Sequence, residues 1–531
     1  MPEQSLSRRN FLWAVGATGG AGTMFAAMGA LGLAPTAVAA SRFQPPSASD
    51  FHLQGRAAGS VVILGGGVAG LISAYELGKA GYRVTVLEPR DRTGGRVLTV
   101  RGGDELTDLR GFHQRAAFRR GQYMNAGAAR LAQWMVTLDY CRELRVPIEV
   151  FTNANADAYM HLRPMPAGQP VRYRTAKADT YGYMSELLAK ATDQGALDAE
   201  LTADDKEILT GFLTDFGDLG DRYEYNGSTR RGFTTWPGEV GVPGVARADV
   251  PSVSDVIASG VGWYFSFENG FDQAMPMFQP VGGMDMLPRA LTRAIGAERV
   301  KLGCRVTALT QAATGVTVTY SDAAGRSRSL TADYAIATMP PQLLVKLTHN
   351  LGADVVAALS AAQPVSAGKL GLEYRSRWWE TDHRIYGGIT WTDTEITQIW
   401  HPSYDYLGER GVLIGYYQFG ETADRYAAMP PKERETTAVG LGERIYGAKY
   451  RTELASSFSV PWSQVPHVEG AWHHLSGHSP QSPVFTPLAE PAGRVFFAGD
   501  WLSNMPSWQH GAILSARKAV TLLHGRALAA R

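Results

Sequence analysis

The stretch Val61 to Val97, VVILGGGVAGLISAYELGKAGYRVTVLEPRDRTGGRV, decides how the chain is read. Val61 to Leu64 is a short apolar run that reads as a buried strand. It is followed by Gly65-Gly66-Gly67-Val68-Ala69-Gly70, a GxGxxG placed where a helical apolar periodicity begins. Gly65 permits the tight turn, Gly67 lets a pyrophosphate approach the backbone, and Gly70 lets the helix pack closely on the strand. Val68 and Ala69 then lie at the helix N-terminus that holds the phosphate. A second strand, Tyr82 to Leu87, ends in Glu88, which lies 18 residues past Gly70 and is placed to accept both ribose hydroxyls. A GxGxxG alone is weak evidence, but here the strand before, the helix after and the acid beyond are all in place. The acid argues for an unphosphorylated ribose, hence FAD or NAD.

Glu88, Arg90 and the run Arg92-Thr93-Gly94-Gly95-Arg96 extend this to E-x-R-x-R-x-G-G-R, a pattern that resembles the flavin amine oxidase superfamily. The resemblance implies that Arg90, Gly95 and Arg96 contact the cofactor, with the Gly-Gly-Arg turn against flavin and diphosphate, and it favours FAD over NAD. Neither cysteine lies in the C-terminal flavin segment where amine oxidases attach theirs, so the resemblance implies that the FAD is held non-covalently.

Further segments carry the same resemblance, most closely to bacterial L-amino-acid oxidases. Gln122 to Leu131, QYMNAGAARL, is similar to their G-x-x-R segment, which implies that Gly127, Ala128 and Ala129 lie by the flavin and that Arg130 anchors the substrate carboxylate. By itself Arg130 reads as an ordinary charge on the first turn of a helix expected over Leu131 to Leu144. Met277 to Asp285 resembles the family segment that returns the chain to the FAD domain. Arg305 to Leu309 reads as a strand, where the resemblance puts Val306 at the adenine pocket. Val316 to Tyr320 and Ser327 to Thr331 read as a hairpin, and Ala332 to Pro340 matches the family's strand before the crossing into the substrate domain.

Between Lys369 and Phe419 apolar and polar residues alternate in GKLGLEY, YGGITW and GVLIGYY, which predicts an antiparallel sheet. Lys369 reads on its own as a solvent-facing lysine at a strand end. The resemblance instead makes it a catalytic lysine, hydrogen-bonded through a water to flavin N5. Trp400 and His401, before Pro402, lie where amino-acid oxidases carry an aromatic pair facing the substrate, although the family's tyrosine is missing there. At the C-terminus, Arg494 to Asp500 reads as a buried strand ending in an acid, and Ser507-Trp508-Gln509-His510-Gly511-Ala512-Ile513 opens a final helix. The resemblance implies that Asp500 holds the ribityl chain and that the helix start at Gly511, Ala512 and Ile513 meets the flavin pyrimidine. It puts Ser507 and Trp508 at the substrate, Trp508 also walling the cofactor. His510 reads as a structural helix-start histidine.

The chain has 531 residues, more than one core usually holds. Lys plus Arg is 51 against Asp plus Glu at 50, a formal net charge of +1. With no basic stripe interleaved with aromatics, nucleic acid is excluded as a partner. Cys141 and Cys304 have no CxxC spacing, which supports neither a metal site nor a disulfide framework and leaves a single bridge between them open. Ser7-Arg8-Arg9-Asn10-Phe11-Leu12 resembles a twin-arginine signal, followed by an uncharged run that closes on Ala37-Val38-Ala39, an A-x-A cleavage site. The other reading of that run is a membrane anchor, since it is long enough to span a bilayer. Cleavage is favoured, because small residues dilute the run and Pro35 sits near its end.

The expected architecture is α/β (α+β overall): a Rossmann-like FAD-binding domain from residues 59–110, 276–340 and 485–531, a mixed-sheet substrate domain from 111–150 and 341–484, and a helical insertion at 151–275, after a signal peptide at 1–40. The expected activity is oxidation of L-amino acids by dioxygen to 2-oxo acids, ammonia and hydrogen peroxide. It would take place in the periplasm or outside the cell after passage through the twin-arginine export machinery. The oligomeric state is left open. The alternatives are a monoamine or polyamine oxidase, a dehydrogenase with another electron acceptor, and a flavin-binding protein without turnover.

Overall fold

The computed structural model describes residues 50–55, 59–162, 168–273, 276–474 and 482–530; the signal-peptide expectation for residues 1–40 lies outside them. A five-stranded sheet is ordered Val300–Lys301, Arg83–Leu87, Ser60–Leu64, Tyr334–Ala337, Val495–Phe497. All its neighbours run parallel. Val61 and Ile63 pack on one face with Leu71, Ile72, Ile513 and Val520. Val62 and Leu64 pack on the other with Leu309 and Val318. Burial on both faces is why the strand reads as an unbroken apolar run. The first face is covered by the helices Val68–Lys79, Met286–Ile295 and Gln509–Ala529. The second is covered by a four-stranded sheet that contains the expected hairpin, Gly315–Ser321 paired antiparallel with Ser327–Ala332.

A seven-stranded mixed sheet is ordered Leu454–Pro461, Ala367–Tyr374, Gly411–Phe419, Gln398–Trp400, Ile389–Thr392, Tyr159–His161, Val171–Arg172. Ala367–Tyr374 is buried along its whole length. Its alternation therefore separates two packed faces rather than core from solvent. Leu370, Leu372 and Tyr374 join Trp378, Trp379 and Tyr450. On the opposite face a Cβ at Gly371 would lie 2.6 Å from the Met124 sulfur. Lys369 is thus not a solvent-facing strand end; its side chain is buried.

Two expectations about local structure change. The helix expected from Leu131 begins at Val136. Leu131 instead exchanges two backbone hydrogen bonds with Phe278, of 2.7 and 2.8 Å, so Arg130 sits on an extended segment. The stretch expected to be a helical insertion holds the helices Tyr173–Asp193 and Ala203–Gly217, the latter opened by a Thr202/Asp205 capping box. It also contributes Tyr159–His161 and Val171–Arg172 to the edge of the seven-stranded sheet. Strands this short carry too few positions for a period of two to show.

Cys141 and Cys304 are free and buried in separate clusters, so they do not pair. Among the described residues no helix is long and apolar enough to cross a membrane, and no group of three or more His, Cys, Asp or Glu side chains could hold a metal ion.

Candidate active site

A cavity of about 860 Å³ joins the end of the five-stranded sheet to one face of the seven-stranded sheet. Gly65 turns the chain out of its strand at φ +113°, a conformation that favours glycine. A Cβ on Gly70 would stand 2.0 Å from the Gly65 carbonyl oxygen, so helix and turn touch backbone to backbone. At Gly67 the added atom would meet only the Gly95 Cα, at 4.0 Å, which leaves this side of the turn open to the cavity. Gly67 is also the N-cap and supplies no side-chain hydrogen bond. The helix therefore presents its first N–H groups to the cavity, a ready-made anion site. Gln509–Ala529, whose N-cap is Trp508, likewise has no side-chain cap.

The Glu88 carboxylate is oriented by its neighbours. Oε2 accepts from Gly66 N at 2.8 Å, and Oε1 accepts from Arg90 N and Nε, both at 3.1 Å. Arg90 and Arg92 also donate to the Gly95 carbonyl at 3.3 and 3.1 Å. Arg96 donates to the Ala471 carbonyl at 2.8 Å and forms an ion pair with Asp500. Burial pushes the Asp500 carboxyl up, but Arg96, with help from His473 and the Ser507 N–H, outweighs it and holds the group below its usual range.

At the far end the chemistry is cationic and aromatic. The Arg130 guanidinium carbon lies 4.8 Å from the centroid of the Trp400 ring and 5.2 Å from that of Phe267. Its Nε and Nη1 are enclosed and have no hydrogen-bond partner. Burial lowers its pKa to about 10, opposed by Tyr417 and Asp272. Lys369 Nζ donates to the Gly127 carbonyl at 2.7 Å and to that of Asn125 at 3.4 Å. It also rests against Trp400 and Tyr417, and burial, reinforced by Arg130, lowers its pKa to about 7. Trp508 donates its indole N–H to Asp272 Oδ2 at 3.0 Å.

Every residue that the sequence assigned to substrate or cofactor lines this cavity except Gly70, His401, Gly511 and Ile513. Gly70 acts through the close contact described above. Ile513 is in the core beneath the five-stranded sheet. Gly511 packs on the preceding loop, where a Cβ would come 2.2 Å from the Met505 carbonyl. His401 is a correction: successive side chains alternate across the sheet, so Trp400 faces the cavity and His401 turns away. The His401 ring bonds the Gly388 carbonyl at 3.2 Å and the Tyr446 hydroxyl at 3.1 Å, and burial holds it neutral, with its pKa down at about 3.

Tyr417, Phe267 and Asp272 also line the cavity and were not singled out. Tyr417 pairs directly with Lys369 across neighbouring strands. Burial pushes its phenol up to about 12 against the pull of Arg130. It therefore supplies a hydroxyl near Arg130 that the sequence around Trp400 lacks. The alternation of GVLIGYY marks it as a strand residue, but only the strand pairing brings it to Lys369.

The chain belongs to the family of flavin-containing amine oxidoreductases, whose sequence model matches residues 68–524. It is 27% identical over 480 residues to an L-amino-acid oxidase of Demansia vestigiata, covering 86% of this chain and 85% of that one. It is also 27% identical over 482 residues to one from Vipera ammodytes ammodytes, covering 86% and 91%. Its fold is similar to that of cyclohexylamine oxidase from Brevibacterium oxydans IH-35A, with a TM-score of 0.58 at 18% identity over 88% of this chain and 99% of that one. Wild-type putrescine oxidase bound to putrescine gives 0.56 at 18% identity over 89% and 99%. The family implies a flavin, and the cavity fits one: two uncapped helix N-termini, an open glycine floor and the Glu88 carboxylate line one continuous space.

Proposed function

We propose that the protein is an L-amino-acid oxidase with non-covalent FAD, converting its substrate with dioxygen and water to a 2-oxo acid, ammonia and hydrogen peroxide. The observation that carries this reading is the enclosed, unpartnered guanidinium of Arg130 in the cavity. A buried cation without an anion is costly, and a substrate carboxylate removes that cost with two parallel hydrogen bonds. The flavin, when bound, supplies the hydride acceptor and the reaction with oxygen.

The chain supplies orientation and electrostatics. Arg130 grips the carboxylate between Trp400 and Phe267, and the Tyr417 hydroxyl adds a second donor. The aromatic walls, Trp508 among them, exclude water and favour a neutral amine, the form that can be oxidised. Lys369, with its pKa near neutrality, holds or yields a proton beside the Gly127 carbonyl. Glu88 would bind the ribose, the Gly67 turn the diphosphate, and Arg96 with Asp500 the ribityl end. Neither cysteine lines the cavity, in keeping with non-covalent attachment. Arg8 and Arg9, with the small-residue run behind them, support export by the twin-arginine route.

The test is peroxide production from a panel of L-amino acids and their decarboxylated amines. Amino acids should react and the amines should fail by roughly 10⁴-fold, the discrimination of a site left with a buried unpaired group. Equal turnover of the amines would overturn the reading in favour of an amine oxidase.

A further inference from the structure

Resting on the amino-acid oxidase reading, we propose that the preferred substrates are amino acids with a cationic side chain, and that Asp272 receives the side-chain ammonium or guanidinium. Asp272 follows the short helical turn Ser266–Asn269 and lines the cavity together with Arg130, Phe267 and Trp508. Its neighbour Glu268 is already committed to Lys177, at 2.6 Å, and to Tyr173. Asp272 forms no ion pair among the described residues. Its Oδ2 accepts from the indole of Trp508 at 3.0 Å and from the amide of Gln273 at 3.2 Å.

Asp272 acts on Arg130 through its charge, yet two of the Arg130 nitrogens remain without a partner. This end of the cavity thus holds a guanidinium and a carboxylate that make no ion pair with each other. A ligand that satisfies both carries a carboxylate and a cationic group apart. The α-ammonium is the wrong group for Asp272, because a carboxylate beside it would hold the proton that must leave before oxidation. A side-chain cation keeps its charge throughout the reaction. The ring of Phe267, beside Arg130, and the indole of Trp508, bonded to Asp272, offer apolar walls for the methylenes of a long basic side chain.

The experiment compares L-lysine, L-norleucine and 1,5-diaminopentane on the flavin-loaded enzyme and on Asp272→Asn, which keeps an oxygen for the Trp508 indole while losing the charge. In the wild type, kcat/KM for lysine should exceed that for norleucine by roughly 10- to 100-fold, the range of one hydrogen bond to a charged group. In Asp272→Asn the ratio should fall toward one, with lysine carrying the loss. Norleucine used as well as lysine by the wild type, or an equal loss for both in the variant, would overturn the assignment of Asp272 while leaving the oxidase reading intact. Turnover of 1,5-diaminopentane matching that of lysine would instead overturn the oxidase reading itself. Even if the variant folds poorly, norleucine used as well as lysine by the wild type still overturns the proposal.

Discussion

The guanidinium carbon of Arg130 and the ammonium of Lys369 share one aromatic ring, standing 4.8 and 4.6 Å from the centroid of Trp400. Two cations on one indole repel each other in a buried space. The effect appears in Lys369, whose pKa falls to about 7 through burial first and Arg130 second. Arg130, with its pKa at about 10, stays cationic at neutral pH, while Lys369 is poised to lose its proton.

Arg130→Ala removes the one enclosed guanidinium with unpartnered nitrogens among the described residues that line the cavity. Its kcat/KM for amino acids should drop by about 2 to 5 kcal/mol, the cost of breaking a buried charge pair, with flavin content unchanged. The gap between an amino acid and its amine should also narrow. Full retention of amino-acid activity would remove Arg130 as the anchor.

Lys369→Met tests the buried ammonium. Its pKa is about 7 in the folded protein against an ordinary 10.5. Between these values the unfolded chain holds a proton that the folded chain has released, so this lysine makes wild-type stability rise with pH through that window. The penalty for burying its charge is complete below about pH 7 and gone above 10.5. Thermal melts of both proteins should show the variant gaining relative to wild type as pH falls from 10 toward 7, a range set by that shift. A pH-independent difference would mean that Lys369 does not titrate there. In stopped-flow work the variant should slow the oxygen half-reaction more than the amino-acid half-reaction, since a protonatable group serves the charge that develops on oxygen.

Gly67→Ala and Gly70→Ala separate binding from packing. The added methyl at residue 67 meets only the Gly95 Cα at 4.0 Å, so the protein should fold but hold flavin more weakly, because the methyl fills the open floor. At residue 70 it would stand 2.0 Å from backbone that cannot yield. That variant should lose about 3 kcal/mol of stability. Flavin titration and melting curves distinguish the two, and matching behaviour would contradict the division of labour.

Arg8→Lys together with Arg9→Lys should leave active, flavin-loaded enzyme in the cytoplasm, since the proposed export route reads the arginine pair while the cavity lies within residues 64–512. Fractionation of expressing cells checks this. Unchanged export would refute the proposed route.

The nucleotide half was readable because its signals are local. Strand, glycine turn, helix and Glu88 fall within one short stretch, where each residue's backbone freedom or charge acts on near neighbours. The C-terminal pair of Asp500 and the final helix was legible for the same reason. What the sequence could not determine was the partnering of strands. It marked Lys369 as one member of an alternating pattern, but that pattern cannot tell a solvent face from a second packed face, and Ala367–Tyr374 is buried on both. Nor could it choose between Trp400 and His401, because the facing of a strand depends on its register with Gly411–Phe419. Tyr417 reaches Lys369 only through the pairing of Gly411–Phe419 with Ala367–Tyr374, and Asp272 reaches Trp508 across 236 residues of chain. The sequence by itself determined the strand, glycine turn and helix and, through the family pattern, the flavin that the family implies. Only the tertiary structure decided which charges face each other across the cavity, because long-range packing sets which side chains are left unpaired.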